Sequence, residues 1–433
     1  MKSERFQNTN KSYSTSAVKT LNVRTVYLKG RSRGGPFHSF YRELVEYPPD
    51  GYSFFIEKPQ QVKPELVKPH EPTSGLTKNQ QMVKRLDSEF QSSTLMWNLW
   101  GEAKPLSYML VKRLRDLRFT KLPEAGADLI YCSQQLLFVK LPWVVDVEYA
   151  NELVGGNEIR GVRRTVQKCL TSKNCKKIMP GSDWSKRTLY RSMNCNSFKE
   201  KIETVHFGVR PKNFVKKKES DKLRLIFVGS INVSNALNFE GKGGVEVIEA
   251  FLELSKKYDE IELIVRSWIP PAIKEKYANS PNITLLEKQL SEDKLAELYS
   301  SSDIVIFPAH MNLGMAILDA MSYELPVIAR AVYDVPEAVE EMKTGMLLDP
   351  APNILYYTWN GVPNYDTNFL LGIRKCRPWL VKQIVEKTSL LIEDASLRRR
   401  LGREARRSIE QGEFSIRNRN EKLKRIFDEA IGD

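Results

Sequence analysis

Three stretches carry residue types whose spacing could do chemistry. Across residues 302–321 the chain reads Ser-Asp-Ile-Val-Ile-Phe-Pro-Ala-His-Met-Asn-Leu-Gly-Met-Ala-Ile-Leu-Asp-Ala-Met. The apolar, β-branched run at 303–307 has the composition of a strand buried on both faces, and Pro308 stops it. Asn312 is suited to cap the helix that follows, Gly314 keeps its first turn slim, and Asp319 sets a carboxylate further along, where it can meet a polar ligand. The unpaired N–H groups of such a helix start favour anions and polar groups. A second stretch, Lys-Gly-Arg-Ser-Arg-Gly-Gly-Pro at 29–36, places Gly34 and Gly35 in a loop whose backbone could approach an anion or a sugar, or could simply turn the chain. The third, Trp-Val-Val-Asp-Val-Glu at 143–148, puts Asp146 and Glu148 on one face of a strand. There they suit hydroxyl binding or general-base work, or stand as solvated strand-end carboxylates.

The elements that must position these residues alternate between strand and helix. Apolar runs at 23–28, 52–56, 127–132 and 143–148 read as strands of a first half, which 202–209 closes. The second half restarts at 223–230 with Leu-Arg-Leu-Ile-Phe-Val-Gly-Ser. Glu-Gly-Lys-Gly-Gly at 240–244 then leads into a helix at 245–258. Strands follow at 261–266 and 283–286, a helix capped by Ser291, and strands at 303–307 and 325–329. Such alternation implies parallel sheets with helices on both faces, hence an α/β chain of two doubly wound, Rossmann-like domains facing across a cleft.

The remaining stretches organise around this frame. Residues 1–20 are Ser/Thr/Asn/Lys-rich without an apolar segment, which predicts a disordered tail and not a signal peptide. Residues 58–80 read as loop, and 82–118 as a basic, apolar-faced helix that packs on a core or lies on a membrane surface. The domains read as 21–210 and 223–395, joined by a charged linker at 211–222. Residues 351–380, aromatic among prolines and asparagines, read as an insertion with its own small core or as a loop facing the second substrate. Residues 381–392 and 397–431 read as helical with a break at Gly412, and the segment 396–433 as a C-terminal helix packing back toward the first domain.

Bulk composition excludes several classes. The 433 residues are 41% hydrophobic and 28% charged, the balance of a globular protein, with no apolar run long enough for a membrane span. Five cysteines without a CxxC pair argue against a disulfide framework or a zinc site and fit a reducing cytoplasm. The formal charge of +14 calls for an anionic partner or a generally basic surface. The run from Arg160 to Arg191 is the best candidate surface for lipid phosphate or another polyanion, or is a solvated basic face; the reading is a cytoplasmic chain, free or peripheral on the inner face of the membrane. Nucleic acid is disfavoured, because no binding motif accompanies that run.

Taken in order, these segments carry a resemblance. The second half, roughly 201–350, resembles the donor-binding domain of family-4 glycosyltransferases of the GT-B fold ("glycosyl transferases group 1"). The matching pieces are Ile226-Phe227-Val228-Gly229 with Lys242-Gly243, the run 295–303, Gly314 to Met321, Pro326-Val327-Ile328-Ala329, and Val335-Pro336-Glu337 with Thr344-Gly345. The C-terminal run 397–406 matches more loosely, and the first half only weakly, through Gly34-Gly35 and His206-Phe207-Gly208-Val209.

The resemblance implies a nucleotide-diphosphate sugar held between the domains and a sugar passed, with retention, to a glycan or lipid-linked acceptor bound on the first domain. It implies no metal and no further cofactor. It puts Lys242 on the diphosphate, Asp319 on the ribose, and Leu313, Gly314 and Asn312 around the sugar. Gly229 belongs to the same donor surface, Glu337 matches a family glutamate near the donor or has a structural role instead, and Gly34 and Gly35 form the facing loop. Lys242 and Glu148 stand at the positions of catalytic groups. The chain departs from the pattern in several places. The earlier of two family carboxylates, with seven residues between them, is replaced by Met311, flanked by His310 and Asn312. A basic residue after Gly229 is replaced by Ser230, for which Arg224 or Arg266 could compensate. Glu148 stands for a histidine, and Glu324 for a glycine. The missing carboxylate also motivates an alternative, a relative that binds nucleotide or glycan without catalysis.

Overall fold

The computed structural model describes residues 24–29, 39–56, 127–216, 221–231, 236–311 and 313–432. Gly34, Gly35, Asn312 and the expectations for 1–20, 58–80 and 82–118 lie outside them. Among the described residues two fully parallel sheets form. The first contains β1 (Arg24–Lys29), β2 (Tyr52–Ile56), β3 (Leu129–Ser133), β4 (Trp143–Val147) and β5 (Cys175–Pro180), in the order β2-β1-β3-β4-β5. Helices α1 (Ser39–Glu46), α2 (Arg163–Thr171) and α3 (Asp183–Ser192) flank it. All residues of β3 and β4 are buried, which explains their mainly apolar character. The sequence pattern misses β5, because Lys176 and Lys177 interrupt it. On this edge strand Lys177 turns outward to Glu203 at 2.9 Å while Ile178, Met179 and Pro180 stay buried.

The second sheet contains β6 (Leu223–Val228), β7 (Ile261–Arg266), β8 (Ile283–Leu286), β9 (Ile304–Phe307), β10 (Val327–Arg330) and β11 (Gly345–Leu348), in the order β11-β10-β9-β6-β7-β8. The order reverses between β6 and β9, and at such a switch point the carboxyl ends of the strands open a crevice. Helices α4 (Ala236–Gly241), α5 (Gly244–Leu254), α6 (Pro271–Tyr277), α7 (Glu292–Ser300), α8 (Met315–Ser322) and α9 (Val335–Ala338) connect the strands. Ser291 caps α7 through the Lys294 N–H at 3.3 Å.

Three further helices end the chain: α10 (Thr367–Glu393), α11 (Ala395–Gln411) and α12 (Ile416–Ile431). Asp366 caps α10, which therefore starts inside the stretch read as an insertion and runs through Pro378. After the break at Gly412, α12 crosses to the first sheet. Its Leu423, Ile426 and Phe427 join Val26, Leu44, Tyr52 and Leu129 in one core, and the Phe427 ring meets Tyr52 edge-on at 5.2 Å.

Residues 351–366 do not form a core of their own. Tyr356 and Phe369 pack with Trp184 of the first sheet's α3 and with Tyr333 of the second half. Asn360, fully buried, donates to Asn151 Oδ1 at 3.0 Å and to Ser192 Oγ at 2.8 Å. The Trp184 indole N–H donates to the Gly361 carbonyl at 3.1 Å. This segment is a clasp across both sheets.

Candidate active site

The crevice at the carboxyl ends of β6 and β7 holds two cations and, among the described residues, no acid paired with them. Lys242 stands in the turn between α4 and α5. Its neighbour Glu240 is committed elsewhere, to Arg374 at 2.7 Å and Arg377 at 3.0 Å, both on α10. Among the described residues the Lys242 amine has no carboxylate partner. Burial, and then the guanidinium of Arg266, push its pKa down. Arg266, the last residue of β7, donates to the Gly229 carbonyl at 3.2 Å, while its buried Nε is unpartnered. Burial lowers its pKa too. Holding two like charges partly out of water without a counter-ion is costly, and a bound anion relieves both the repulsion and the desolvation.

The loop between β9 and α8 lies against this turn. The His310 N–H donates to the Gly241 carbonyl at 2.8 Å, and a Cβ on Gly241 would sit 2.8 Å from Met311 Cε. Met311 thus fills an apolar contact where the resemblance implies a carboxylate. Gly243 has φ +80° and its Cα faces Pro308, so the turn itself requires glycine there. His310 is fully buried and its pKa is driven down by burial and then by Arg330, so the ring is neutral. Its Nδ1 lies 2.7 Å from the Tyr356 hydroxyl, which also accepts the Ala351 N–H at 3.1 Å. His310 therefore ties this loop to the clasp, and its Nε2 is buried without a partner.

Gly314 occupies the N-cap position of α8 with φ −96°, which corrects the expectation of a glycine inside the first turn. Among the described residues a Cβ there would meet only the Phe307 ring, at an ordinary 3.5 Å, so their packing does not demand glycine. Gly229 is the opposite case. A Cβ there would lie 2.3 Å from Ser267 Oγ, so this glycine serves strand-end packing. Asp319 sits on α8, partly buried, and its carboxylate makes no hydrogen bond among the described residues. Burial raises its pKa to about 6, against the pull of Lys212. Glu43 and Arg42 of α1 also act on it, so Asp319 faces the first domain.

The remaining expected site residues separate by role. Glu337 spends both oxygens on the first domain, accepting the N–H groups of Asp183 at 2.8 Å and Trp184 at 2.7 Å at the start of α3. Burial alone would raise its pKa, but His206 and those two N–H groups outweigh burial and hold it low. Glu337 is thus a helix cap supplied across the domain boundary. Asp146 is buried and fully engaged: it accepts from Tyr41 Oη at 2.8 Å, Tyr131 Oη at 3.2 Å and the Gln134 N–H at 2.8 Å. Glu148, two residues on, accepts from Gln134 Nε2 at 3.0 Å and lies close enough to act on Asp334 and Tyr365 across the cleft. The two carboxylates therefore divide, Asp146 bracing the strand end and Glu148 facing the cleft. Arg224 is removed from the site, paired with Glu262 at 2.7 Å at the opposite end of the sheet, which leaves Arg266 as the crevice's second cation.

Asp334, Tyr333, Trp184 and Tyr149 escaped the sequence pattern, while Tyr365 belongs to the aromatic stretch 351–380 read there. All five converge from both sheets and the clasp, and of the four missed only Asp334, directly before the matched Val335-Pro336-Glu337, had a signal in the chain. Among the described residues no group of three or more His, Cys, Asp or Glu could hold a metal ion, and no helix is long and apolar enough to cross a membrane.

Comparison with known proteins defines the fold. The structure superposes on a glycosyltransferase from Rickettsia africae with a TM-score of 0.55 and 14% identity, covering 95% of this chain and 100% of that one. It superposes on Anabaena Alr3699/HepE, crystallised with UDP-glucose, with a TM-score of 0.54 and 13% identity, covering 94% and 99%. The chain has the GT-B fold, two Rossmann-like domains facing across a cleft. Residues 215–355, the segment that builds the crevice, match the family described as "Glycosyl transferases group 1". The sulfoquinovosyl transferase SQD2 of Arabidopsis thaliana is 37% identical over 65 residues, 14% of this chain and 13% of that protein. The D-inositol 3-phosphate glycosyltransferase of Mycobacteroides abscessus is 36% identical over 67 residues, 15% of each. The chain thus matches 13% and 15% of the lengths of these curated relatives.

Proposed function

We propose that this chain is a nucleotide-sugar-dependent glycosyltransferase whose donor lies in the cleft at the carboxyl ends of β6 and β7. The observation that carries the reading is the Lys242–Arg266 pair, two partly buried cations without an acidic partner among the described residues. A diphosphate fits that pair, and Asp319, with an unengaged carboxylate facing the first domain, suits ribose hydroxyls. The open N-terminus of α8 at Gly314 offers backbone donors to the sugar or diphosphate. Lys242 and Arg266 take the charge of the departing diphosphate by electrostatic stabilisation, so the step needs no divalent metal. Glu148, on the facing wall, orients a hydroxyl of sugar or acceptor. Transfer proceeds with retention to a glycan or lipid-linked acceptor on the first domain. Arg163, Arg164, Lys168, Lys173 and Lys176 are exposed, and we assign them to contact with an anionic membrane face in the cytoplasm.

The experiment is calorimetry with UDP, GDP and their common sugar conjugates on the full chain, on Lys242→Ala and on Arg266→Ala, followed by turnover assays. Loss of one cation from a diphosphate site should weaken the best nucleotide by about tenfold to a hundredfold. Unchanged affinity in both variants would remove the diphosphate assignment. The apolar contact of Met311 with Gly241 favours a second reading, a binding protein without catalysis. Tight nucleotide binding with neither hydrolysis nor transfer, over all acceptors tried, would select it.

A further inference from the structure

The loop that carries Met311 does have a carboxylate beside it, supplied from a different part of the chain. Asp334 occupies the N-cap position of α9, where an aspartate ordinarily accepts an N–H of its own helix, yet it makes no such bond. Its Oδ1 instead takes the Leu313 N–H at 2.7 Å, two residues beyond Met311. The carboxylate is nearly sequestered, with Asp334 only 3% exposed. Burial, with Glu148 and Glu337 adding to it, pushes its pKa up to about 7. Glu148 from the first domain and Tyr365 from the clasp complete the surroundings.

The placement relative to the crevice is specific. On one flank the 308–314 loop is bonded to Gly241, beside Lys242. On the other it is bonded to Asp334. A diphosphate on Lys242 and Arg266 would run its attached sugar along this loop toward Asp334. Met311 presents only a thioether and methyl to the same space, so it offers a sugar hydroxyl no strong acceptor.

We propose that Asp334 is the specificity-determining carboxylate of the donor site, accepting a hydroxyl of the transferred sugar in place of the carboxylate that position 311 lacks. The assignment rests on the nucleotide-sugar reading above. Tyr333, directly before it, is held at φ +56° by a bond from its N–H to Tyr357 Oη at 3.0 Å and from its hydroxyl to the Tyr356 carbonyl at 2.9 Å. The clasp therefore fixes the backbone that aims Asp334.

The test compares Asp334→Asn and Asp334→Glu with the wild type, using calorimetry with UDP, UDP-glucose, UDP-N-acetylglucosamine, GDP and GDP-mannose. Asn keeps an acceptor for the Leu313 N–H but lowers the strength of a bond from a sugar hydroxyl. Asp334→Asn should weaken the best nucleotide sugar about tenfold or more, while the matching free diphosphate changes less than about threefold. Asp334→Glu, which keeps the charge one methylene further out, should reorder the sugars and leave the preference for base unchanged. Parallel losses for sugar nucleotide and free diphosphate would overturn the assignment by making Asp334 a loop brace, as would no change in either. A wild type that binds neither UDP nor GDP would overturn the donor-site reading and the assignment with it. Binding of the free diphosphates with no effect of Asp334 on any sugar would overturn the assignment alone.

Discussion

Asp146→Asn should change the stability of the first domain with a sign that depends on pH. The carboxyl is buried between β3 and β4, and burial raises its pKa from 3.8 to about 7 despite the bonds from Tyr41, Gln134 and Tyr131. Below pH 3.8 both folded and unfolded chains hold the proton, and no penalty exists. Between 3.8 and about 7 the unfolded chain releases it first, so stability falls as pH rises, and the full penalty is present above about 7. The difference between those values corresponds to roughly 4 kcal/mol. Asparagine cannot ionise and escapes this penalty. It keeps an oxygen for the Gln134 N–H, but its amide can no longer accept from both tyrosine hydroxyls, a loss of about 1–2 kcal/mol. The variant should therefore be less stable than the wild type near pH 4 and more stable by about 2 kcal/mol at pH 8, or roughly 4–8 °C in a domain of this size. Thermal melts followed by tryptophan fluorescence at both pH values provide the assay, with Trp143 reporting from the same strand. A variant that is destabilised equally at both pH values would refute the argument, because the carboxyl would then be ionised and satisfied throughout.

Glu337→Gln should lower the thermal midpoint by an amount equivalent to about 1–3 kcal/mol, since it weakens two charge-assisted bonds at the start of α3. UDP affinity should stay within about twofold, and a larger loss would return Glu337 to the donor. Gly229→Ala should destabilise the second domain by about 1–3 kcal/mol through overlap with Ser267, and adding Ser267→Gly should recover most of the loss. Gly314→Ala should leave the melt unchanged, its Cβ meeting Phe307 at 3.5 Å, while nucleotide-sugar affinity drops. Equal effects of both alanines on binding would contradict the separation of the two glycines.

What the sequence could say depended on how local the cause was. The strands β3, β4, β6 and β9 read clearly because burial on both faces over most of their length leaves a mainly apolar run. The edge strand β5 did not, since an edge tolerates Lys176 and Lys177, and alternation is lost. The start of α10 was hidden by Pro378 and by aromatics whose partners lie on another domain. Lys242 and Arg266 entered as candidates through the family resemblance, and Asp319 through its place on the helix that follows a strand end, where the fold opens a crevice. Which carboxylates face that crevice was not legible. Asp146 and Glu148 alternate identically along one strand, yet Tyr41 and Tyr131 claim the first and the cleft receives the second.

Position 311 makes the same point about the donor loop. Read along the chain, Met311 is a loss, because a local motif places the acid on the loop itself. In three dimensions the loop's shape is held by a bond from the Leu313 N–H to Asp334, so the acid and the loop reach the same place from segments 21 residues apart. Burying Asp334 costs free energy that the Leu313 N–H and its own N–H offset only in part, since burial still carries its pKa to about 7. Lys242 and Arg266 are likewise left without a counter-ion among the described residues, at a like-charge cost on the other flank of the loop. An acid whose burial is only partly offset and a cation pair without a counter-ion among the described residues, separated by one loop, match a ligand that is anionic at one end and rich in hydroxyls at the other. A nucleotide-diphosphate sugar has that polarity, and it would relieve both costs at once.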